Sequence, residues 1–247
     1  LRLDKFLSHT GFGSRKEVKE LLKKKQVSVN GKLVKDGKVS IDENHDQICV
    51  ADESVFYRKD VYLMLNKPQG VVSATHDAEH RTVIDLLSSD YHHFELFPVG
   101  RLDKDTTGFL LLTNDGELAH QLLSPKKKVP KLYRALVSGI MTSEDQALFK
   151  EGIDIGEPKI CLPAELNILS IDQETQESLI ELEIVEGKFH QVKRMVKAVG
   201  KEVKTLHRLS MGGLPLDPTL KVGQYRELTA LEESQLLAKL SDKSVKK

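Results

Sequence analysis

The sequence predicts an α+β protein in two unlike parts: a small helix-led head, and a larger body with a mixed, largely antiparallel sheet flanked by helices around a central cleft. Three observations predict it. Strand and helix patterns follow one another along the body without a regular βαβ rhythm. The 247 residues are 39% hydrophobic and 30% charged, enough apolar surface for two packed cores. Lys+Arg and Asp+Glu both number 37, yet the first 40 residues hold eleven of the former against four of the latter. That local +7 leaves −7 on the remainder. A basic head on an acidic body suits a nucleic-acid partner, although a solvated lysine face reads equally well from charge alone.

The head is read as residues 1–59, the body as 60–240, and 241–247 as a disordered basic tail. Leu3, Phe6 and Leu7 fall at helical spacing, and Gly11–Gly13 makes a turn. Ser14 is an N-cap, with Glu17 completing a capping box. Val18, Leu21 and Leu22 then form an apolar stripe beside Lys16, Lys19 and Lys23. Val27 to Val29 and Lys32 to Val34 are strands joined by the hairpin turn Asn30-Gly31. Residues 41–60 are acid-rich and read as one last strand and a linker. In the body, Val61–Leu65, Phe109–Thr113, Leu132–Val137 and Leu179–Val185 read as strands. Residues 83–88, 116–123, 143–151 (capped by Ser143) and 190–199 read as helices. The longest apolar runs, such as Phe109–Leu112, are too short to span a bilayer, so no membrane partner is expected. Cys49 and Cys161 alone build neither a disulfide framework nor a four-ligand zinc site, and no basic-then-apolar leader opens the sequence, so a reducing cytoplasm is the expected location.

Two stretches offer chemistry. Gly100 to Gly108 (GRLDKDTTG) packs two carboxylates and two hydroxyls into a glycine-bracketed turn ahead of a strand. The bland reading is a capped loop. Asp103 and Asp105 as a glycosidase pair is weak, because i,i+2 carboxylates in a loop have no defined separation. Glu186 to Met195 (EGKFHQVKRM) joins a strand to a basic helix whose first amides could take a phosphate. Seven basic residues lie between Lys188 and Arg208 against one acid, and a second basic cluster runs from Lys126 to Arg134. Tyr133 sits inside that cluster, where it is either core or a base-stacking ring. His76 and His80 lack a third ligand, so no metal is expected. There is no phosphate-loop or dinucleotide glycine fingerprint, so no cofactor is expected.

Taken in order, these motifs resemble one family over nearly the whole chain. Residues 1–58, with Arg2–Leu7, Gly13-Ser14-Arg15 and Val27–Gly31, look like the alpha-L RNA-binding domain. The remainder resembles the RsuA/RluB/RluE/RluF family of pseudouridine synthases. The matching stretches are Leu65–Gly70, Gly100–Asp103 with Thr106-Thr107-Gly108, Thr113–Gly116, Lys131-Leu132-Tyr133, Glu186–Lys188, His190–Met195 and Leu206-His207-Arg208. Phe189–Arg194 and Met211–Leu214 look most like the RsuA-type, small-subunit branch; large-subunit members generally carry an Asn-Arg pair at 189–190.

That resemblance implies an isomerase converting one uridine of 16S ribosomal RNA to pseudouridine, in helix 18 at position 516 of the standard numbering. The substrate would be a small-subunit assembly intermediate, and the enzyme a monomer. A 23S target is the runner-up, and a non-catalytic rRNA-binding assembly factor the main competing class. The resemblance implies Asp103 as the catalytic carboxylate, Lys193 as the cation keeping it ionised, and Tyr133 as the stacking and proton-moving ring. It places Arg2, Lys5, Ser14, Arg15, Lys16, Lys19, Arg101, Lys131, His190, Gln191 and Arg194 on the RNA. Lys67 is expected to order the loop rather than do chemistry. The base must leave its helix to be reached, and the isomerisation needs no redox partner.

Overall fold

The computed structural model describes residues 1–241; from residue 242 on, the expected basic tail lies outside them. The chain divides into two compact units. One is Leu1–Val61 with Leu87–Leu96, the other Tyr62–Leu86 with Phe97 onward. The sequence had assigned all of 60–240 to the body. The segment 87–96 joins the first unit because its rings find partners there. Arg58 lies 5.8 Å over the Phe94 ring, and His93 fills the space beside Gly11, where a Cβ would stand 3.3 Å from the imidazole.

The first unit runs α1 (Leu3–His9), α2 (Arg15–Lys23), β1 (Val27–Val29), β2 (Lys32–Leu33), β3 (Ile48–Val50) and β4 (Glu53–Val55). Ser14 caps α2, and the reciprocal bond from Glu17 completes the box. Leu3, Phe6, Leu7, Val18 and Leu22 bury against Val27, Ile41 and Ile48. The sheet is antiparallel in the order β2-β1-β3-β4. Where one strand was expected in 41–60 there are two. Their hairpin turns on Ala51 and Asp52, both at positive φ (50° and 68°). Ala-Asp carries none of the glycine signal that marked Asn30-Gly31.

The second unit runs β5 (Tyr62–Lys67), β6 (Phe97–Pro98), β7 (Thr107–Thr113), α3 (Gly116–Leu123), β8 (Lys131–Ser138), α4 (Ser143–Glu151), β9 (Glu165–Asp172), β10 (Glu177–Ile184), α5 (Gln191–Ala198), β11 (Glu202–Met211), β12 (Leu214–Pro215), β13 (Tyr225–Glu227) and α6 (Ala230–Ser241). Only a 3-10 turn, Ile84–Leu86, forms within 83–88. The cap of α4 is Thr142, bonded reciprocally with Asp145, rather than Ser143. The sheet order is β13-β5-β7-β11-β8-β10-β9, with β12 on β11 and β6 on β7. Along that path the strands are antiparallel except β7 and β11, which run parallel. Met64, Phe109, Leu111 and Met211 from the sheet close a core with Leu118 and Leu122 of α3 and Leu236 of α6.

The parallel seam positions the site. Gly108 of β7 pairs with Arg208 of β11 so closely that a Cβ would stand 2.3 Å from the Arg208 carbonyl oxygen. No side chain fits there. Arg208 in turn pairs with Tyr133 of β8. The loop that leads into β7 therefore ends in the same row of the sheet as Arg208 and Tyr133.

Candidate active site

The loop before β7 is held from beneath by a buried lysine. Lys67, at the end of β5, has no exposed surface. Its ammonium donates to the carbonyls of Pro68 (2.9 Å), Asp103 (3.0 Å), Lys104 (3.4 Å) and Thr106 (2.9 Å). Burial pushes its pKa down to about 8, with Asp105 and Asp103 opposing that shift. Ser73 Oγ bonds both the carbonyl and the amide of Leu102 (2.9 and 3.0 Å), and the Gly70 amide reaches Lys104 O. The backbone around Asp103 is therefore fixed by bonds that leave its side chain free to project.

That side chain meets two cations. Lys193 Nζ, one turn into α5, lies 2.9 Å from Asp103 Oδ2 and 2.7 Å from Asp105 Oδ1. His190 Nε2 lies 3.3 Å from Asp103 Oδ1. Burial works against the Lys193 charge, but the bonds to Asp105 and Asp103 outweigh it and hold the ammonium above its ordinary range. The same ammonium, as hydrogen-bond donor, holds the Asp105 carboxyl below the usual carboxylate range. Asp103 is about a quarter exposed and Asp105 about two thirds. Of the two, Asp103 is the one presented with both oxygens engaged and partial shelter from water.

The segment before α5 is braced as firmly. His190 takes a left-handed backbone conformation (φ 49°, ψ 35°), uncommon for a residue with a side chain. Arg194 holds it there, donating to Phe189 O (3.1 Å), Ile155 O (2.6 Å) and Glu157 Oε1 (2.7 Å). Gln191 donates to Glu186 Oε1 (2.8 Å) and accepts from the Lys188 amide (2.9 Å).

Tyr133 is 8% exposed and shares its strand face with Lys131. Arg208, 2% exposed, donates through Nε to Phe109 O (2.8 Å) and approaches the Tyr133 hydroxyl through Nη1 at 3.4 Å. A guanidinium only donates, so the tyrosine oxygen accepts from it and its own O–H points elsewhere. Arg208 Nη2 is buried without a partner. Lys131 is pushed down to about 8, chiefly by burial and secondarily by Arg208.

The expected site residues thus separate. Asp103, Lys193 and His190 converge, and Asp105 joins them through Lys193. Tyr133 stands in the adjacent row of the sheet. Arg101 is exposed on the same loop; Arg2, Lys5, Ser14, Arg15, Lys16 and Lys19 are exposed on the first unit. There a groove of ≈ 620 Å³ is lined by Phe12, Ser14, Lys16, Glu17, Glu20 and Lys24. Two expectations are corrected. Lys131 and Gln191, expected on an exposed RNA-facing surface, are buried at 9% and 4% exposure, Lys131 donating to Val129 O and Gln191 bonded to Glu186 and Lys188. Arg194 is engaged largely in holding its loop. Arg208, counted in the sequence among the basic residues of 188–208, is a core residue of β11.

A lysine-rich helical module together with a mixed-sheet unit that holds a carboxylate against lysine and histidine is an arrangement that suits an enzyme acting on RNA. Comparison with known proteins gives the family. Residues 61–198 match the family described as RNA pseudouridylate synthase, and residues 1–46 the S4 domain. The chain is 52% identical to the uncharacterized RNA pseudouridine synthase YtzG of Bacillus subtilis (strain 168), over 96% of this chain and 98% of that one. It is 41% identical to the ribosomal large subunit pseudouridine synthase B of the same organism, over 96% of each. To the ribosomal small subunit pseudouridine synthase A of Vibrio cholerae it is 38% identical, over 96% of this chain and 99% of the relative. A crystal structure of a pseudouridylate synthase superposes with a TM-score of 0.66 at 37% identity, covering 96% and 99% of the two chains. The chain belongs to the RNA pseudouridylate synthase family and is an isomerase of uridine in RNA, with an RNA-binding S4 domain at its head.

Proposed function

We propose that the chain converts one uridine of 16S ribosomal RNA, in helix 18, to pseudouridine, with Asp103 as the catalytic carboxylate. The observation that carries the catalytic assignment is the convergence of Lys193 and His190 on Asp103, over a loop whose backbone Lys67 clamps. Isomerisation breaks the bond from C1′ to N1, forms one from C1′ to C5 and gives up the C5 proton, so no atom is gained or lost beyond exchange with water. An ionised carboxylate beside the anomeric carbon is what that change asks of the protein. Lys193, 2.9 Å from Asp103 Oδ2, places the opposite charge beside that carboxylate. Tyr133, with its oxygen already accepting from Arg208, turns its O–H toward the flipped base. The first unit supplies affinity through phosphate contacts from Arg15, Lys16 and Lys19, and the reaction takes place in the cytoplasm on a small-subunit assembly intermediate.

The 16S target is supported by the Phe189-His190 pair and the likeness to a small-subunit enzyme. The 41% identity to a large-subunit enzyme favours a second reading, a uridine of 23S RNA. Incubation with separately prepared 16S and 23S particles, each carrying C5-tritiated uridine, tests the choice. Release from the 16S particle alone is expected; release from the 23S particle alone would transfer the assignment.

A further inference from the structure

We propose that Phe189 is a stacking platform for an unpaired nucleobase of the RNA strand that flanks the reacting uridine. The inference rests on the assignment of Asp103 to that uridine. Phe189 is 73% exposed, whereas Val192, Met195 and Val196 of the helix that follows are buried. One face of the ring lies on the His190 imidazole, with centroids 3.7 Å and planes 20° apart. The other face is open to solvent. Through that imidazole the ring stands one residue from the Asp103 carboxylate, 3.3 Å beyond His190 Nε2. An exposed aromatic plane is thus mounted on a group that itself touches the reacting centre.

The mounting is rigid. The left-handed turn at His190 is fixed by Arg194, whose guanidinium holds the Phe189 carbonyl, and by the Glu186–Gln191–Lys188 bonds. These polar contacts hold the backbone that carries the ring, and the ring itself is exposed. The charge around it selects the occupant. On the helix α5 that follows, Lys193 is paired with Asp103 and Asp105 and Arg194 with Glu157. Lys197 is exposed and Lys188 donates to carbonyls, so these two charges favour a strand bearing phosphates. Stacking on an aromatic face is tolerant of base identity and suits an unpaired base left beside a flipped one.

The chain contains no tryptophan, so Phe189→Trp installs a single tryptophan at the site, excited apart from the tyrosines at the red edge of its absorption. Titration of that variant with deproteinised 16S and 23S rRNA, and with heparin as a polyanion without bases, separates stacking from charge. Quenching that saturates with at least one RNA and not with heparin is expected. Equal changes with heparin, or none with either RNA, would overturn the platform. In parallel, Phe189→Leu should weaken RNA binding about tenfold, the factor equivalent to ~1.4 kcal/mol, while Phe189→Tyr stays within about twofold. Unchanged affinity in Phe189→Leu would also overturn it. Tritium release by the wild type on the corresponding 16S and 23S particles is scored separately. Release without quenching removes the platform alone. Quenching without release removes the catalytic reading and, with it, the place assigned to this base.

Discussion

Replacing Lys67 with methionine tests whether the clamp beneath Asp103 sets catalytic geometry. Methionine keeps most of the buried volume and removes all of the donors. The Thr106 carbonyl lies at the buried end of the clamp and would lose its lysine partner, at a cost of ~1–3 kcal/mol. The carbonyls of Pro68, Asp103 and Lys104 are partly buried and regain some water, so the sum is about 2–4 kcal/mol. For a domain of this size that is a fall in Tm of roughly 4–16 °C. A displacement of Asp103 by about 1 Å would cost on the order of 10²-fold in rate. The assay is single-turnover tritium release from C5-labelled RNA beside thermal melting. Lower Tm with an unchanged rate would show that the loop does not need the clamp to align Asp103. No change in either would refute the clamp itself. The pH dependence has a distinctive sign. With a folded pKa of about 8 against an ordinary 10.5, the unfolded chain binds more protons than the folded one between those values. Stability of the wild type relative to Lys67→Met should therefore rise with pH across that window. The neutral amine, however, offers two N–H groups to four carbonyls, so the rate should fall above pH about 8 while relative stability increases.

Asp105→Asn frees Lys193 for Asp103 alone; because Asp105 is mostly exposed, stability should change by less than about 1 kcal/mol and the rate by less than about tenfold, measured by melting and single-turnover release. Tyr133→Phe and Arg208→Met should each lower kcat tenfold or more and leave RNA affinity unchanged. Their double variant should lose little more than either alone, because both act through one hydroxyl; additive losses in the cycle would contradict the pairing at 3.4 Å. Changing Arg15, Lys16 and Lys19 together to glutamine should shallow the log K against log salt slope by about 2, at roughly 0.7–0.9 per phosphate contact, with kcat intact at saturating RNA. An unchanged slope would move the RNA off α2.

The first unit was largely legible in the sequence because its signals are local. The Ser14–Glu17 box, the Asn30-Gly31 turn and the stripe Val18–Leu22 each depend on neighbours within four residues. The second hairpin escaped because Ala51-Asp52 takes positive φ without glycine, a choice imposed by the pairing of Ile48 with Val55. The longest strand, β11, also escaped. Its register shifts near Val203 and Arg208 break the alternation, and its basic residues imitate a surface helix. The motif around Asp103 was legible in the sequence, whereas the bridge from Lys193 to both Asp103 and Asp105 spans 88 residues at its shorter reach and is made by the fold. Gln191 and Lys131 misled for the opposite reason: polar residues in a basic stretch look exposed until the elements around them are placed. The segment 87–96 carried no sign that its rings belong with the first unit, since that choice is made by Arg58 and Gly11.

The central claim is that Asp103, paired with Lys193, supplies the carboxylate of the reaction. Asp103→Asn keeps the shape of the side chain and removes its charge. Single-turnover tritium release should fall on the order of 10⁴-fold, about 5.5 kcal/mol of transition-state stabilisation, with RNA affinity within a few-fold of wild type. Release at a rate near that of the wild type would contradict the account.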